Sequence, residues 1–85
     1  MITQDSLLEL LDVSQENVRL FSVIHSNRAK RLIFKSSIRI GFEIVLPRFY
    51  DDNWVLEIIS KRKYNIEKDI IGIREARREL NPKSI

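Results

Sequence analysis

Asn27 to Pro47 reads NRAKRLIFKSSIRIGFEIVLP, and the way this stretch alternates decides the fold. Apolar and charged residues trade places through KRLIFKS (Lys30–Ser36) and FEIVLP (Phe42–Pro47). Both runs are rich in β-branched and aromatic side chains, which marks strands. Pro47 has no amide proton to give a ladder and ends the second run. Upstream, VRLFSVIHS (Val18–Ser26) has the same character and predicts a further strand. The links near Asn27–Ala29 and Ser37–Gly41 are short, and short links favour antiparallel neighbours. The expectation is a three-stranded antiparallel β-meander over residues 18–47.

A period of two sorts the side chains of that sheet. One face collects Val18, Leu20, Ile24, Leu32, Phe34, Phe42, Ile44 and Leu46, which is nearly all apolar and calls for helix to cover it. The other collects Arg19, Phe21, Val23, His25, Arg31, Ile33, Lys35, Glu43 and Val45, a mixed surface with a basic frame.

The flanks are helical. In DSLLELLDV, Leu7, Leu8, Leu10 and Leu11 follow helical spacing, with Asp5 or Ser6 as N-cap, giving a short helix within residues 1–16. Beyond Pro47 the apolar residues fall at steps of three and four: Val55, Ile58, Ile59, Ile66, Ile70, Ile73 and Leu80. Asp51 or Asp52 caps this segment, where acids suit the helix dipole. The stripe breaks at Arg62, so residues 51–80 read either as one long helix or as two in succession. Gly72 marks close packing or a bend, and Pro82 stops the segment. The predicted fold class is α+β. The 85 residues form a single small domain in which the C-terminal helical segment covers the apolar sheet face and pins Phe34 and Ile44 against Val55, Ile59 and Ile66.

Composition narrows the chemistry. There is no cysteine and one histidine, His25. A zinc site needs three or four ligands, so His25 reads as a strand residue near a turn and no cofactor is expected. Asp51 and Asp52 read as caps rather than as an acid–base pair. The two glycines, Gly41 and Gly72, make no phosphate loop. The first residues carry acids and lack the basic start of a targeting peptide. No apolar run approaches the ~18 residues of a membrane span. A cytoplasmic protein with no membrane partner is expected.

Charge is the functional signal. Asp5, Glu9, Asp12 and Glu16 precede residue 19, whereas Arg19, Arg28, Lys30, Arg31, Lys35, Arg39 and Arg48 follow it with only Glu43 between them. The excess sits in the strand region, where it makes a local positive field. Arg19, Arg31 and Lys35, around Phe21 and His25, are candidates for phosphate contacts with a stacking ring. The alternative is that the leucines of residues 7–11 cover Phe21, Val23, Ile33 and Val45 on that face. Arg74, Arg77 and Arg78 form a second cluster on one helical face, beside Glu75 and Glu79.

RAKRLIFKSSIRIGFEIVLP, followed by a helix and SKRKYNIEKDI, resembles the N-terminal region of the YgjP-like metal-dependent hydrolases, a zinc metallopeptidase-like family. Arg28, Lys30 and Arg31 match its basic opening. Glu43 and Leu46-Pro47 match its second strand. Lys61, Arg62 and Tyr64 match a helical Lys-Arg-x-aromatic step, with tyrosine where the family usually has tryptophan. The family's Pro-Asp-Gly-like turn is Ile38-Arg39-Ile40-Gly41 here. Its zinc-binding His-Glu-x-x-His helix lies downstream and does not occur in these residues, so no catalytic or metal residue carries over. The resemblance implies a non-catalytic recognition or scaffolding module, either a fragment that partners a downstream catalytic domain or a stand-alone relative. The alternatives are a small basic domain that binds nucleic acid through the charged sheet face, and a subunit that oligomerises through its long helix.

Overall fold

Thr3 opens the first helix. Its hydroxyl accepts the Ser6 amide at 3.1 Å, and the Ser6 hydroxyl accepts the Thr3 amide at 3.0 Å. This reciprocal cap sets α1 at Gln4–Leu11, ahead of where Asp5 or Ser6 as cap would have started it. The computed structural model describes residues 2–80, so the expected stop at Pro82 lies outside the described residues. Asp12 closes α1 in the left-handed conformation (φ 54°), and the Val13 amide donates to the Leu8 carbonyl at 3.2 Å. A 3-10 turn follows at Gln15–Leu20.

The strands are β1 (Phe21–His25), β2 (Ile33–Ser37) and β3 (Gly41–Leu46). The sheet order is β1-β3-β2: β2 pairs antiparallel with β3, but β1 pairs parallel with it. The sheet is therefore mixed, which corrects the expected antiparallel meander. The reason is apolarity. A central strand has a neighbour at each edge to shelter its side chains, and β3 buries Phe42, Ile44, Val45 and Leu46 together with Gly41. By contrast β2 turns to Lys35, Ser36 and Ser37 after its first two residues, and Lys35 and Ser36 are exposed. The most apolar strand takes the middle. The link Ser26–Leu32 must then cross two strand spacings, about 10 Å. At ~3.3 Å per residue its reach is roughly double that, so the crossing is easy.

Register corrects the faces as well. Phe21 lies opposite Phe42, Val23 opposite Ile44 and His25 opposite Leu46. Phe34 lies opposite Ile44. Phe21, Val23 and His25 therefore share the face of Phe42 and Ile44, not the face of Lys35 and Glu43. Val18 and Leu20 leave the sheet for the 3-10 turn, and Ile24 points away from the core. With the strand starting three residues later than read, its alternation meets β3 in the opposite phase.

All three helices contribute to one cluster on that face. Leu7 and Leu11 of α1 join Phe21, Phe42, Ile44 and Leu46 of the sheet. Val55 and Ile59 come from α2 (Asp52–Lys61), and Ile66, Ile70 and Ile73 from α3 (Lys63–Leu80). Phe21 stacks on Phe42 with ring centroids 6.3 Å apart and planes 6° from parallel. Phe34 is half-buried against the same cluster. The leucine helix thus packs into the main core, and the opposite sheet face is left uncovered by helix.

The break falls at Arg62. Its amide donates to the Ile58 and Ile59 carbonyls at 3.2 and 3.0 Å, closing α2, and its own carbonyl accepts the Ile66 amide at 2.9 Å, opening α3. Arg62 cannot occupy the apolar stripe. Its guanidinium turns instead to the Phe34 ring, 5.1 Å from the centroid.

Two side chains staple the periphery. The Gln4 amide accepts the Val23 N–H at 3.3 Å and donates to the Phe21 carbonyl at 3.4 Å, standing in for a fourth strand along the free edge of β1. Arg77 donates through Nε to the Ile38 carbonyl at 2.6 Å and through Nη2 to the Arg39 carbonyl at 2.9 Å, tying α3 to the β2–β3 turn. Among the described residues no helix is long and apolar enough to cross a membrane.

Candidate functional site

The end of the sheet where β1 and β3 finish gathers cations. Ser26 organises the first of two loops there. Its amide donates to the Leu46 carbonyl at 2.9 Å, and its hydroxyl accepts the amides of Arg28 and Ala29, each at 3.2 Å. This small turn makes Arg28, Lys30 and Arg31 project from the link between β1 and β2, all three exposed. The second loop leaves β3 at buried Pro47 and presents Arg48 and Phe49. Between the loops lies an open hollow of about 350 Å³, lined by Asn27, Ala29, Lys30, Pro47, Arg48 and Phe49. Neither Ser26–Leu32 nor Pro47–Tyr50 contains an acid. Four cations therefore share one end of the molecule, and the next acid in the chain, Asp51, turns its carboxylate to the amides of Asn53 and Trp54 at 2.9 and 3.3 Å.

The other residues that charge and spacing singled out are dispersed. Phe21 is 2% exposed and stacked inside the core, so it is no stacking ring for a ligand. Arg19 stands on the 3-10 turn at the opposite end of the sheet, where the backbone of Leu20 meets Gly41. Lys35 is on the uncovered face, directly across from Glu43. A basic sheet face built from Arg19, Phe21, Arg31 and Lys35 is thus not assembled. The helical cluster is spent on structure: Arg74 pairs with Glu16 at 2.8 Å and Arg77 clasps the turn, leaving Arg78 exposed beside them. Of the residues expected to bind, Arg28, Lys30 and Arg31 lie exposed on one loop, and Lys30 lines the hollow. Arg48 and Phe49 complete the group. Their signal in the sequence is an arginine followed by two aromatics directly after a strand-ending proline, a loop position that no core pattern claims.

The remaining polar groups have local duties. With the proton on Nε2, His25 donates to the Ile2 carbonyl at 3.2 Å. Asp51 is the N-cap of α2, as its position before the apolar stripe implied. Among the described residues no three His, Cys, Asp or Glu side chains group as metal ligands. A second hollow, of about 280 Å³, lies between α3 and the segment after α1, where Asn17 holds a buried carbonyl oxygen without a partner. Comparison with protein-family models, curated proteins and solved structures finds no match. The resemblance to the YgjP-like hydrolases therefore rests on the residues that suggested it.

Proposed function

We propose that the chain is a non-catalytic recognition module that grips a polyanion with the end of its sheet. The observation that carries this reading is that Lys30 and Arg48 line one hollow between two loops that hold no acid, with Arg28 and Arg31 exposed on the first of those loops. Exposed cations held at one place on a rigid sheet meet phosphate groups at little ordering cost. The leucine helix was the main objection to a nucleic-acid surface, because it needed a place to pack. It packs into the core on the opposite face from Lys35.

A labelled duplex oligonucleotide tests the reading, since its accessible feature is a phosphate lattice. Four contacts give a log–log salt slope of about −3.6, at about −0.9 per phosphate. Reversing Arg28, Lys30 and Arg31 to glutamate should remove binding without touching the core. No binding by the parent chain at ~50 mM salt and ~100 μM protein, near the weak end of non-specific affinities, defeats the proposal.

A second reading takes its support from the uncovered sheet face. There Ile24, 39% exposed, and half-buried Ile33 flank Val45, which is itself only 6% exposed. That apolar row offers a seat for a further domain, in keeping with the resemblance to the N-terminal region of a YgjP-like hydrolase. A downstream His-Glu-x-x-His in the same reading frame would support it, and its absence there would count against it.

A further inference from the structure

We infer that Phe49 is a base-stacking platform, so that the polyanion this site selects is a single-stranded nucleic acid; the inference rests on the polyanion reading above. Phe49 is 82% exposed, more than any other large apolar side chain among the described residues. Its neighbours have structural duties that it lacks. Pro47 is buried at the end of β3, and the Tyr50 hydroxyl accepts the Ile2 amide at 3.2 Å. Phe49 has one partner, the Arg48 guanidinium, 5.3 Å from the ring centroid. With that cation on one side and most of the ring in solvent, the other side stays open. Folding gains little from a phenylalanine held this way, because its apolar surface remains in water.

The surroundings fit a nucleobase. The hollow beside the ring holds about 350 Å³, at the small end of ligand sites and suited to one flat group rather than to an extended molecule. Asn27 also lines it, and a side-chain amide can both donate to and accept from a base edge. Its rim carries Lys30 and Arg48, with Arg28 and Arg31 on the same loop as Lys30, to meet the phosphates on either side. A ring, an amide and flanking cations are the parts of a single-strand site. A duplex keeps its base faces stacked inside and can use only the cations. The chemistry therefore separates the two: phosphate contacts serve both, and the ring serves the single strand alone.

The test uses the full chain and two fluorescein-labelled probes, a 12-nucleotide single strand and the corresponding duplex, read by fluorescence anisotropy at ~50 mM salt. The single strand should bind about 5- to 150-fold more tightly, the equivalent of ~1–3 kcal/mol of stacking. Phe49→Ala should remove that advantage and leave duplex affinity within about twofold, with an unchanged thermal melt because the ring is outside the core. Phe49→Tyr should keep the advantage. If the parent binds both probes equally and Phe49→Ala changes neither, the platform is wrong while the polyanion reading stands. If charge reversal at Arg28, Lys30 and Arg31 also leaves both affinities unchanged, the site itself is wrong.

Discussion

Gly41 and Gly72 are the chain's two glycines, and the structure assigns opposite signs to the same substitution at each. Gly41 has φ +104°, which L side chains rarely adopt; holding a non-glycine residue in such a conformation costs about 1–3 kcal/mol. A Cβ there would lie 2.6 Å from the Leu20 carbonyl oxygen and 3.1 Å from its carbon. Both are backbone atoms, so the clash cannot be relieved by a rotamer. Either the end of the 3-10 turn moves or β3 does, and β3 is the centre of the sheet. Overpacking of this kind adds about 1–3 kcal/mol. Against it stands the lower entropy of the unfolded alanine chain, about 0.4–1 kcal/mol in favour of folding. Gly41→Ala should therefore lose about 1–6 kcal/mol, a large share of the ~4–13 kcal/mol expected for a domain of this length. Gly72 sits in α3 with nothing within 4 Å of its Cβ position. Gly72→Ala receives the same unfolded-state benefit with no clash and should gain about 0.5–1 kcal/mol. Parallel urea titrations followed by far-UV circular dichroism should move the two midpoints in opposite directions. If both move the same way, or if Gly41→Ala lies within ~0.5 kcal/mol of the parent, the close approach of Leu20 to β3 is wrong.

Ile59 has no exposed surface in the cluster that joins α2 to the sheet; Ile59→Ala should cost about 2–5 kcal/mol, read as a lowered urea midpoint at unchanged slope. Arg77→Ala should cost about 1–2 kcal/mol by releasing the β2–β3 turn, a figure held down by the exposure of both hydrogen bonds. Arg77→Lys should recover little of it, because an ammonium cannot span two carbonyls as the guanidinium fork does. Full recovery by lysine would show that charge, not geometry, holds the turn.

The sequence was legible wherever one local rule acted alone. The C-terminal helices are readable because Val55, Ile59, Ile66, Ile70 and Ile73 keep helical spacing, and the choice between one helix and two falls at the arginine that interrupts it. The strand β3 is readable because it is apolar apart from Glu43 and ends at a proline. What failed was the partner of β3. Short links favour adjacency, yet a link of the length of Ser26–Leu32 permits either arrangement, so loop length could not decide between them. The deciding fact was already in the residues. FEIVL is apolar at every position but Glu43, while IFKSS turns polar after its first two residues, so the more apolar strand takes the sheltered middle. Val18–Leu20 misled for a different reason. β-branched character there argued for strand, while Leu20 reaches the core from a 3-10 turn. That moved the start of β1 and reversed which of its side chains face the helices.

That reversal also moves Phe21 from the outer face, where it reads as an aromatic among cations, into the core. With Phe21 in the core, the cations of the β1–β2 link need another neighbour, and the parallel pairing of β1 with β3 supplies it. Parallel strands finish at the same end. The residues after His25 and those after Leu46 must therefore leave the sheet side by side, and the Ser26 amide bonding to the Leu46 carbonyl is the first contact of that exit. In the antiparallel meander, with β2 as the middle strand, the exits of the first and third strands would have been set two strand spacings apart. The topology and the site are one inference: the same change of strand order that overturns the meander brings Arg28, Lys30 and Arg31 to Arg48 and Phe49.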